Sequence, residues 1–354
     1  MSVWNKKILQ GLHDEQREAV TYGQGPLLIV AGAGTGKTQV ITRRIAYLVS
    51  AKMAKPEEIL ALTFTEKAAL EMEERVDVLV PYGYTEFWIS TFHAFGDRIL
   101  REKALEIGLS SDFQVLSTPE QVIFFREHLF DFPLSYYRPL GNPTRYIQAI
   151  LNLVSRAKDE DISPENYLDY VRCLEKRAKE NPEDEALQEI ALKEKEIALS
   201  YEKYQELLAT SGKIDFGDQI NLTLKLFREH PSILKEYQRR FRYILIDEFQ
   251  DTNYSQFQLV KLLAKEHRNI TVVGDDDQCL PPGTLVTMKK GEKKIEEIKP
   301  GEEVITAVGK GYTTYSRVRE VFKRKKKTRF LTFYTENGYR VKVTDNHKMF
   351  CFVP

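Results

Sequence analysis

The 354-residue sequence has few cysteines, no long apolar run and no net charge. Its three cysteines, Cys173, Cys279 and Cys351, lie far apart, which excludes a disulfide framework and the paired spacing of a structural zinc site. No apolar run approaches the ~18–20 residues that span a membrane, and the amino-terminal residues lack the apolar core of a secretion signal. We therefore expect a cytoplasmic protein without a membrane partner.

The zero net charge is the sum of two unlike segments. Residues 279–354 contain nine more basic than acidic residues, and residues 1–278 contain nine more acidic than basic residues. A hydrophobic fraction of 42% is sufficient for ordinary cores in both segments. The change of charge indicates a domain boundary near residue 279.

Residues 1–278 alternate apolar strands with helical patterns, which predicts an α/β fold around a parallel sheet. Between residues 109 and 209 apolar residues recur at helical spacing and strand patterns of comparable strength are lacking. We therefore predict a sheet domain formed by residues 1–108 and 210–278, with an inserted helical subdomain at 109–209. The predicted strands are 27–30, 59–64, 87–90, 243–247 and 270–275.

After Gln278 the pattern changes to short strands separated by turns rich in Gly, Pro and Lys. This pattern predicts a small, partial all-β module at 279–354. The basic run at 323–327 fits a solvated hairpin turn or a nucleic-acid contact. The predicted strands of this module are 284–288, 303–308, 316–322, 329–335 and 339–344.

A phosphate-binding pattern follows the first predicted strand. Residues 31–38 read AGAGTGKT, in which glycines allow backbone N–H groups to face phosphate oxygens. The lysine would add positive charge beside the β- and γ-phosphates, and the final threonine would offer its hydroxyl to Mg²⁺. The pattern predicts an ATP site made of Ala31, Gly32, Ala33, Gly34, Thr35, Gly36, Lys37 and Thr38.

Two adjacent carboxylates, Asp247 and Glu248, follow the apolar strand at 243–247. The carboxyl ends of parallel strands are where ligands of such sheets bind. Asp247 would hold Mg²⁺, and Glu248 would orient and polarise the water that attacks the γ-phosphate.

Seven segments in order resemble the motifs of the UvrD/Rep-type superfamily 1 DNA helicases. The segments are LHDEQREAV (12–20), the loop at 31–38, LTFTEKAALEM (62–72), ISTFHAFG (89–96), IDFGDQI (214–220), IDEFQDTN (246–253) and VVGDDDQ (272–278). The resemblance covers the first, RecA-like ATPase domain with its helical insertion. It implies ATP and Mg²⁺ as cofactors and ATP-driven 3′→5′ translocation on single-stranded DNA and at duplex junctions.

The resemblance also implies roles for individual residues. Gln16 would read the adenine edge with its side-chain amide, unless it is a solvent-facing helix residue, and Gln278 would contact the γ-phosphate. Where the family has Asn, this sequence has Glu66. Each aromatic ring of the DNA motifs could instead be a core ring at the sheet edge. The residues that would contact DNA are Phe64, Thr65, Thr91, Phe92 and His93.

The helicase pattern breaks immediately after Gln278. Where the family continues with Ser-Ile-Tyr, this sequence reads CLPPGT, and TDNH follows at 344–347. A cysteine at such a break, with Thr-x-x-His later in an all-β segment, resembles the N-terminal splicing region of a Hint-type intein. The resemblance implies that Cys279 attacks the Gln278 carbonyl, while His347 protonates the scissile nitrogen and Thr344 holds the amide.

The sequence ends at Pro354 without the His-Asn terminus of an intein, a downstream acceptor residue or a second motor domain. We expect either one half of a split precursor, which would splice in trans with a C-terminal partner chain, or a fragment of a longer one. In both cases it would be inactive as a helicase until joined. The alternative is a nucleotide-dependent DNA-binding protein whose basic β-module is a binding appendage.

Overall fold

The computed structural model describes residues 7–31, 35–80 and 87–274, and six short segments beyond them: 285–288, 291–299, 301–307, 313–317, 330–334 and 340–344. By contacts the chain divides into two compact units, Met1–Leu27 with Thr38–Val272, and Leu28–Lys37 with Val273–Pro354. Among the described residues, no helix is long and apolar enough to cross a membrane.

Strands and helices alternate along the first 274 residues. The strands are β1 (Leu27–Val30), β2 (Ile59–Thr63), β3 (Trp88–Thr91), β4 (Gln114–Leu116), β5 (Lys213–Asp215), β6 (Tyr243–Ile246) and β7 (Ile270–Gly274). The helices are α1 (Asp14–Thr21), α2 (Lys37–Ser50), α3 (Glu66–Leu79), α4 (Phe92–Lys103), α5 (Thr118–Glu127), α6 (Ile147–Asp159), α7 (Pro164–Glu180), α8 (Glu185–Thr210), α9 (Asp218–Glu229), α10 (Pro231–Arg240) and α11 (Tyr254–Ala264).

Five strands form one sheet in the order β1-β7-β6-β2-β3. The pairs β2–β3, β2–β6 and β6–β7 are parallel. Every residue of β2 and β6 is buried, as expected of central strands covered on both faces. The predicted parallel α/β sheet is therefore confirmed.

The main core lies between this sheet and helices α4, α9, α10 and α11. Trp88, Phe95 and Phe241 pack edge to face or tilted within it, with ring centroids 5.1–6.0 Å apart. Helices α4 and α9 approach closely at Gly96, where an added Cβ would lie 2.4 Å from the Gln219 carbonyl oxygen. A side chain at residue 96 would therefore push the two helices apart.

A second core joins α5, α6 and α8. Phe125 and Phe132 stack at its centre with ring centroids 3.8 Å apart. Helix α8 buries most of its apolar residues that recur at helical spacing, although Ile190 of the same helix is 48% exposed.

One strand was not predicted within residues 109–209. Strand β4 lies there and pairs in parallel with β5, about a hundred residues later in the chain. Each strand has three residues, too few for a period of two to be recognised. The helical region is therefore tied to the segment before α9 by a two-stranded sheet.

Beyond residue 284 the described segments form antiparallel pairs. Strands β8 (Leu285–Thr287) and β9 (Glu292–Lys294) pair, as do β10 (Glu303–Ala307) with β11 (Thr313–Arg317) and β12 (Phe330–Tyr334) with β13 (Arg340–Thr344). The strand predicted at 316–322 begins earlier than expected, because β11 starts at Thr313. Residues 318–322 lie outside the described residues. The basic run at 323–327 also lies outside them.

Candidate nucleotide and nucleic-acid site

The predicted phosphate loop lies between β1 and α2. The N–H of Ala31 donates to the carbonyl of Gly274 at 3.0 Å, which fixes the start of the loop beside the end of β7. Gly36 has a φ of +88°, a conformation that favours glycine, and α2 begins at the next residue. The Lys37 side chain is 8% exposed. Gly32, Ala33 and Gly34 lie outside the described residues.

Thr38 and Asp247 meet at the carboxyl end of β6. The Thr38 hydroxyl donates to Oδ2 of Asp247 at 3.1 Å, and the Asp247 residue is 2% exposed. The N–H of Asp247 donates to the Leu62 carbonyl at 3.0 Å, which extends the pairing of β6 with β2 by one residue. The sheet therefore holds the carboxylate against the first turn of α2.

The oxygens of Thr38 and Asp247 fit Mg²⁺. Mg²⁺ prefers hard oxygen ligands, takes only one or two from protein and fills its other positions with water and substrate phosphates. Among the described residues, no cluster of three or more His, Cys, Asp or Glu could hold a metal.

Glu248 has an unusual backbone for a residue with a side chain. Its φ of +51° and ψ of +47° lie in the left-handed region, which costs of order 1–3 kcal/mol outside glycine. Its N–H donates to Oδ1 of Asp247 at 3.1 Å, and the amide of Gln250 donates to its Oε2 at 2.7 Å. Such strain is concentrated at functional sites, and here it turns the chain directly after the strand.

Gln16 lies in the first turn of α1. Its Oε1 accepts a hydrogen bond from the His13 N–H at 3.1 Å, and its side chain is half-buried. This contact makes Gln16 part of the cap of its own helix. Gln278, predicted at the γ-phosphate, lies outside the described residues.

The two threonines predicted to contact DNA cap helices. Thr65 accepts from the Ala68 N–H and Thr91 from the Ala94 N–H, each at 3.1 Å. Thr91 also donates to Oε1 of Glu66 at 2.8 Å. Both residues therefore lie at helix N-termini, where backbone N–H groups favour phosphate.

The aromatic residues of the predicted DNA surface differ in exposure. Phe92 is 1% exposed and packs in the main core, so its ring has no free face for a base, and its assignment to DNA stacking is wrong in this structure. Phe64 is half-buried, with its ring centroid 6.0 Å from that of Phe92. The structure therefore agrees with the alternative interpretation, a core ring, for Phe92.

His93 stacks on a residue that the sequence analysis did not assign to the site. Its ring centroid lies 3.7 Å from that of Phe216, with 24° between the planes. Burial lowers the pKa of His93 to about 4, so the ring is neutral at pH 7. Phe216 is 55% exposed. It lies in the IDFGDQI segment, and this position is the feature of the sequence that could have assigned it to the site.

The residues predicted to catalyse splicing are mostly outside the described part of the chain. Cys279 and His347 both lie outside it. Thr344 is the last residue of β13, where its backbone pairs with Phe330.

A parallel sheet with a phosphate loop and an Asp-Glu pair at its carboxyl edge is the arrangement of P-loop ATPases. The family model of the UvrD/REP helicase N-terminal domain matches residues 12–280, and a Hint module matches residues 267–353. The chain therefore belongs to the UvrD/REP helicase family and includes a Hint module.

Among individual proteins, the chain is similar to ATP-dependent DNA helicases named PcrA. It is 36% identical over 351 residues to that of Bacillus subtilis, which covers 97% of this chain and 44% of the relative. It is 39% identical over 276 residues to that of Leuconostoc citreum, covering 77% of this chain and 33% of the relative. The chain spans less than half the length of these curated relatives.

Proposed function

We propose that residues 1–278 are the N-terminal part of an ATP-dependent DNA helicase that translocates 3′→5′ on single-stranded DNA. The observation that carries the proposal is the 3.1 Å hydrogen bond between Thr38 and Asp247, since it joins the two halves of an ATPase site. The match to the helicase family and the names of the relatives support DNA as the proposed substrate.

Each residue of the site has a role in the proposed reaction. Loop N–H groups and Lys37 bind the phosphates, while Thr38 and Asp247 would hold Mg²⁺, which neutralises phosphate charge when bound. Glu248 orients the attacking water and accepts its proton. Gln16 reads adenine and Gln278 contacts the γ-phosphate, so that loss of this phosphate can be relayed to the DNA surface.

Nucleotide binding and hydrolysis by the 354-residue chain test this proposal. Lys37→Ala should abolish ATP binding, because it removes the positive charge beside the phosphates. Glu248→Gln should retain binding and lower hydrolysis by about 10²-fold or more, because it removes a proton acceptor. Unchanged ATP affinity in Lys37→Ala would contradict the phosphate-site assignment.

For the Hint module we propose the first step of protein splicing. The Cys279 sulfur bonds to the Gln278 carbonyl carbon, the peptide C–N bond breaks, and the nitrogen takes a proton with the help of His347. Thr344 holds the scissile amide. The peptide bond is thereby converted to a thioester without a net change in atoms. A C-terminal partner chain acting in trans, or the rest of a longer precursor, would supply the remaining steps.

Thiol treatment tests the splicing proposal. A small thiol should intercept the thioester and release a fragment that ends at Gln278, which mass spectrometry detects. Cys279→Ala should abolish the release, and Cys173→Ala, at an exposed cysteine of the helical region, should not. Absence of cleavage in the folded chain would argue against the module's proposed chemistry.

The alternative of a DNA-binding appendage rests on the basic charge of residues 279–354. Removal of these residues should leave affinity for single-stranded DNA unchanged if the module serves splicing. A loss of affinity would favour the appendage.

A further inference from the structure

The helix that carries Gln16 satisfies only part of its C-terminal carbonyls from within, where the Thr21 hydroxyl donates to the carbonyl of Arg17 at 2.8 Å. Helix α1 has eight residues, with no basic residue in its last turn, and Tyr22 follows it in an extended conformation. The last carbonyls of a helix have no partner within the helix and carry partial negative charge. The carbonyls of Ala19 and Val20, near the end of the helix, are bound by a group from elsewhere in the chain.

Arg44 of α2 supplies this group. Its Nη1 donates to the carbonyls of Ala19 at 3.1 Å, Val20 at 3.4 Å and Tyr22 at 2.6 Å, and its Nη2 donates to Gly23 at 3.4 Å. The Arg44 residue is 1% exposed. Burial lowers its pKa to about 10, so the guanidinium is still charged at neutral pH.

Arg44 also contacts the sheet. Its Nε donates to the Thr271 hydroxyl at 2.9 Å, and Thr271 is itself buried within β7. A planar guanidinium can serve all these acceptors at once, whereas an ammonium on a flexible chain cannot. The contact joins the end of α1 to β7.

The preceding residue, Arg43, binds the segment that leads into α1. Its Nη1 donates to the carbonyls of Ile8 at 2.6 Å and Gln10 at 2.7 Å, in the segment that leads to the cap residue His13. Ile8 is 1% exposed, so this segment is anchored in the core. Consecutive residues of α2 therefore hold the chain on both sides of Gln16, Arg43 before α1 and Arg44 at its C-terminal end.

We infer that Arg43 and Arg44 position Gln16 and thereby set the preference of the site for adenine. The inference rests on the proposed function of Gln16. Helix α2 starts at Lys37 of the phosphate loop, and about two helical turns along it the arginines bind the segments before and after Gln16. The adenine-reading and phosphate-binding residues are thus attached to one helix, and the arginines are positioning residues.

Binding of three ligands by the full 354-residue chain tests the inference. The ligands are ATP, GTP and inorganic tripolyphosphate, each with Mg²⁺, because they share the phosphates and differ in the base. Arg44→Lys should weaken ATP binding about ten-fold, the scale of losing charge-assisted hydrogen bonds. GTP and tripolyphosphate should stay within about two-fold. Arg43→Lys should act in the same direction.

Double variants separate positioning from general destabilisation. Gln16→Ala should remove the preference for ATP over GTP, and adding Arg44→Lys should lower ATP affinity no further. Equal weakening for all three ligands, additive losses, or intact ATP preference in Arg44→Lys would each overturn the inference. If Arg44→Lys does not fold, Thr271→Val and Arg43→Lys carry the same comparison.

The matched control is Arg75→Lys, on the exposed face of α3, where Arg75 pairs with Glu71. It should leave all three affinities unchanged. Failure of the proposed function is recognised separately in the unmodified chain. Equal affinity for ATP and GTP there, or ATP binding that survives Lys37→Ala, would refute the adenine or phosphate assignment before any arginine is changed.

Discussion

The ammonium of Lys158, near the end of α6, lies 2.6 Å from Oδ2 of Asp215 in β5, and both side chains are buried. The same ammonium lies 2.7 Å from Oδ1 of Asp218, the first residue of α9. The turn between the two aspartates contains Phe216, which stacks on His93. The helical region is thus joined to the proposed DNA surface by a buried ionic contact.

Lys158→Met should destabilise the fold by about 3–5 kcal/mol, because it leaves two buried carboxylates without their cation. Urea unfolding followed by circular dichroism measures the change. Lys176→Met is the control, since Lys176 and Glu180 form an exposed pair 3.9 Å apart, for which we expect a change below about 0.5 kcal/mol. Equal stabilities of the two variants would show that the buried contact contributes little.

The pKa of His93 predicts a pH dependence of stability. Burial lowers it to about 4 from an ordinary value of 6.5, so between these pH values the unfolded chain binds the extra proton. Stability is therefore lost as pH falls from 6.5 to 4, by on the order of 2 kcal/mol. His93→Gln should flatten this part of the profile, measured by urea unfolding at several pH values. Identical profiles would contradict the assignment.

Phe216→Ala should weaken binding of single-stranded DNA, because it removes an exposed ring from the proposed surface. We expect a loss of about 1–3 kcal/mol, the usual contribution of one stacked base. Fluorescence anisotropy with a labelled oligothymidine at one fixed salt concentration measures it. Phe130→Ala, which removes an 81% exposed ring of the helical region, should leave the affinity unchanged.

Thr38→Val should raise the Mg²⁺ concentration needed for half-maximal ATP binding roughly ten-fold, because it removes a hydroxyl ligand while keeping the side-chain shape. Thr38→Ser should restore most of the affinity. Titration of MgCl₂ at fixed ATP measures both. A valine variant with an unchanged Mg²⁺ requirement would argue against Thr38 as a ligand.

The structural features that depend on short stretches of sequence were predictable. The five strands of the main sheet and the apolar face of α2 follow from runs and periods within short windows. The residues of β2 and β6 are buried accordingly, whereas Leu28 and Val30 of β1 are exposed. Asp247 follows in the same way, since it comes directly after a buried strand.

Features that depend on distant contacts were not predictable. Lys158 and Arg44 are charged, and only the carboxylates and carbonyls that surround them in space explain their burial. The first two residues of α4 also differ, because Phe92 enters the core while His93 stacks on Phe216, which comes over a hundred residues later in the chain. Periodicity contains no information on such partners.

The strand order has a consequence for synthesis of the chain. Strand β7 lies between β1 and β6, so β1 has no neighbour in the sheet until about 240 later residues have been made. Pairing of segments this distant in sequence is slow, because the entropic cost of closing the loop precedes the favourable contacts between the strands. Since β7 ends five residues before Cys279, the ribosome must deliver almost all of residues 1–274 before the main sheet can close, and the Hint module emerges just afterwards.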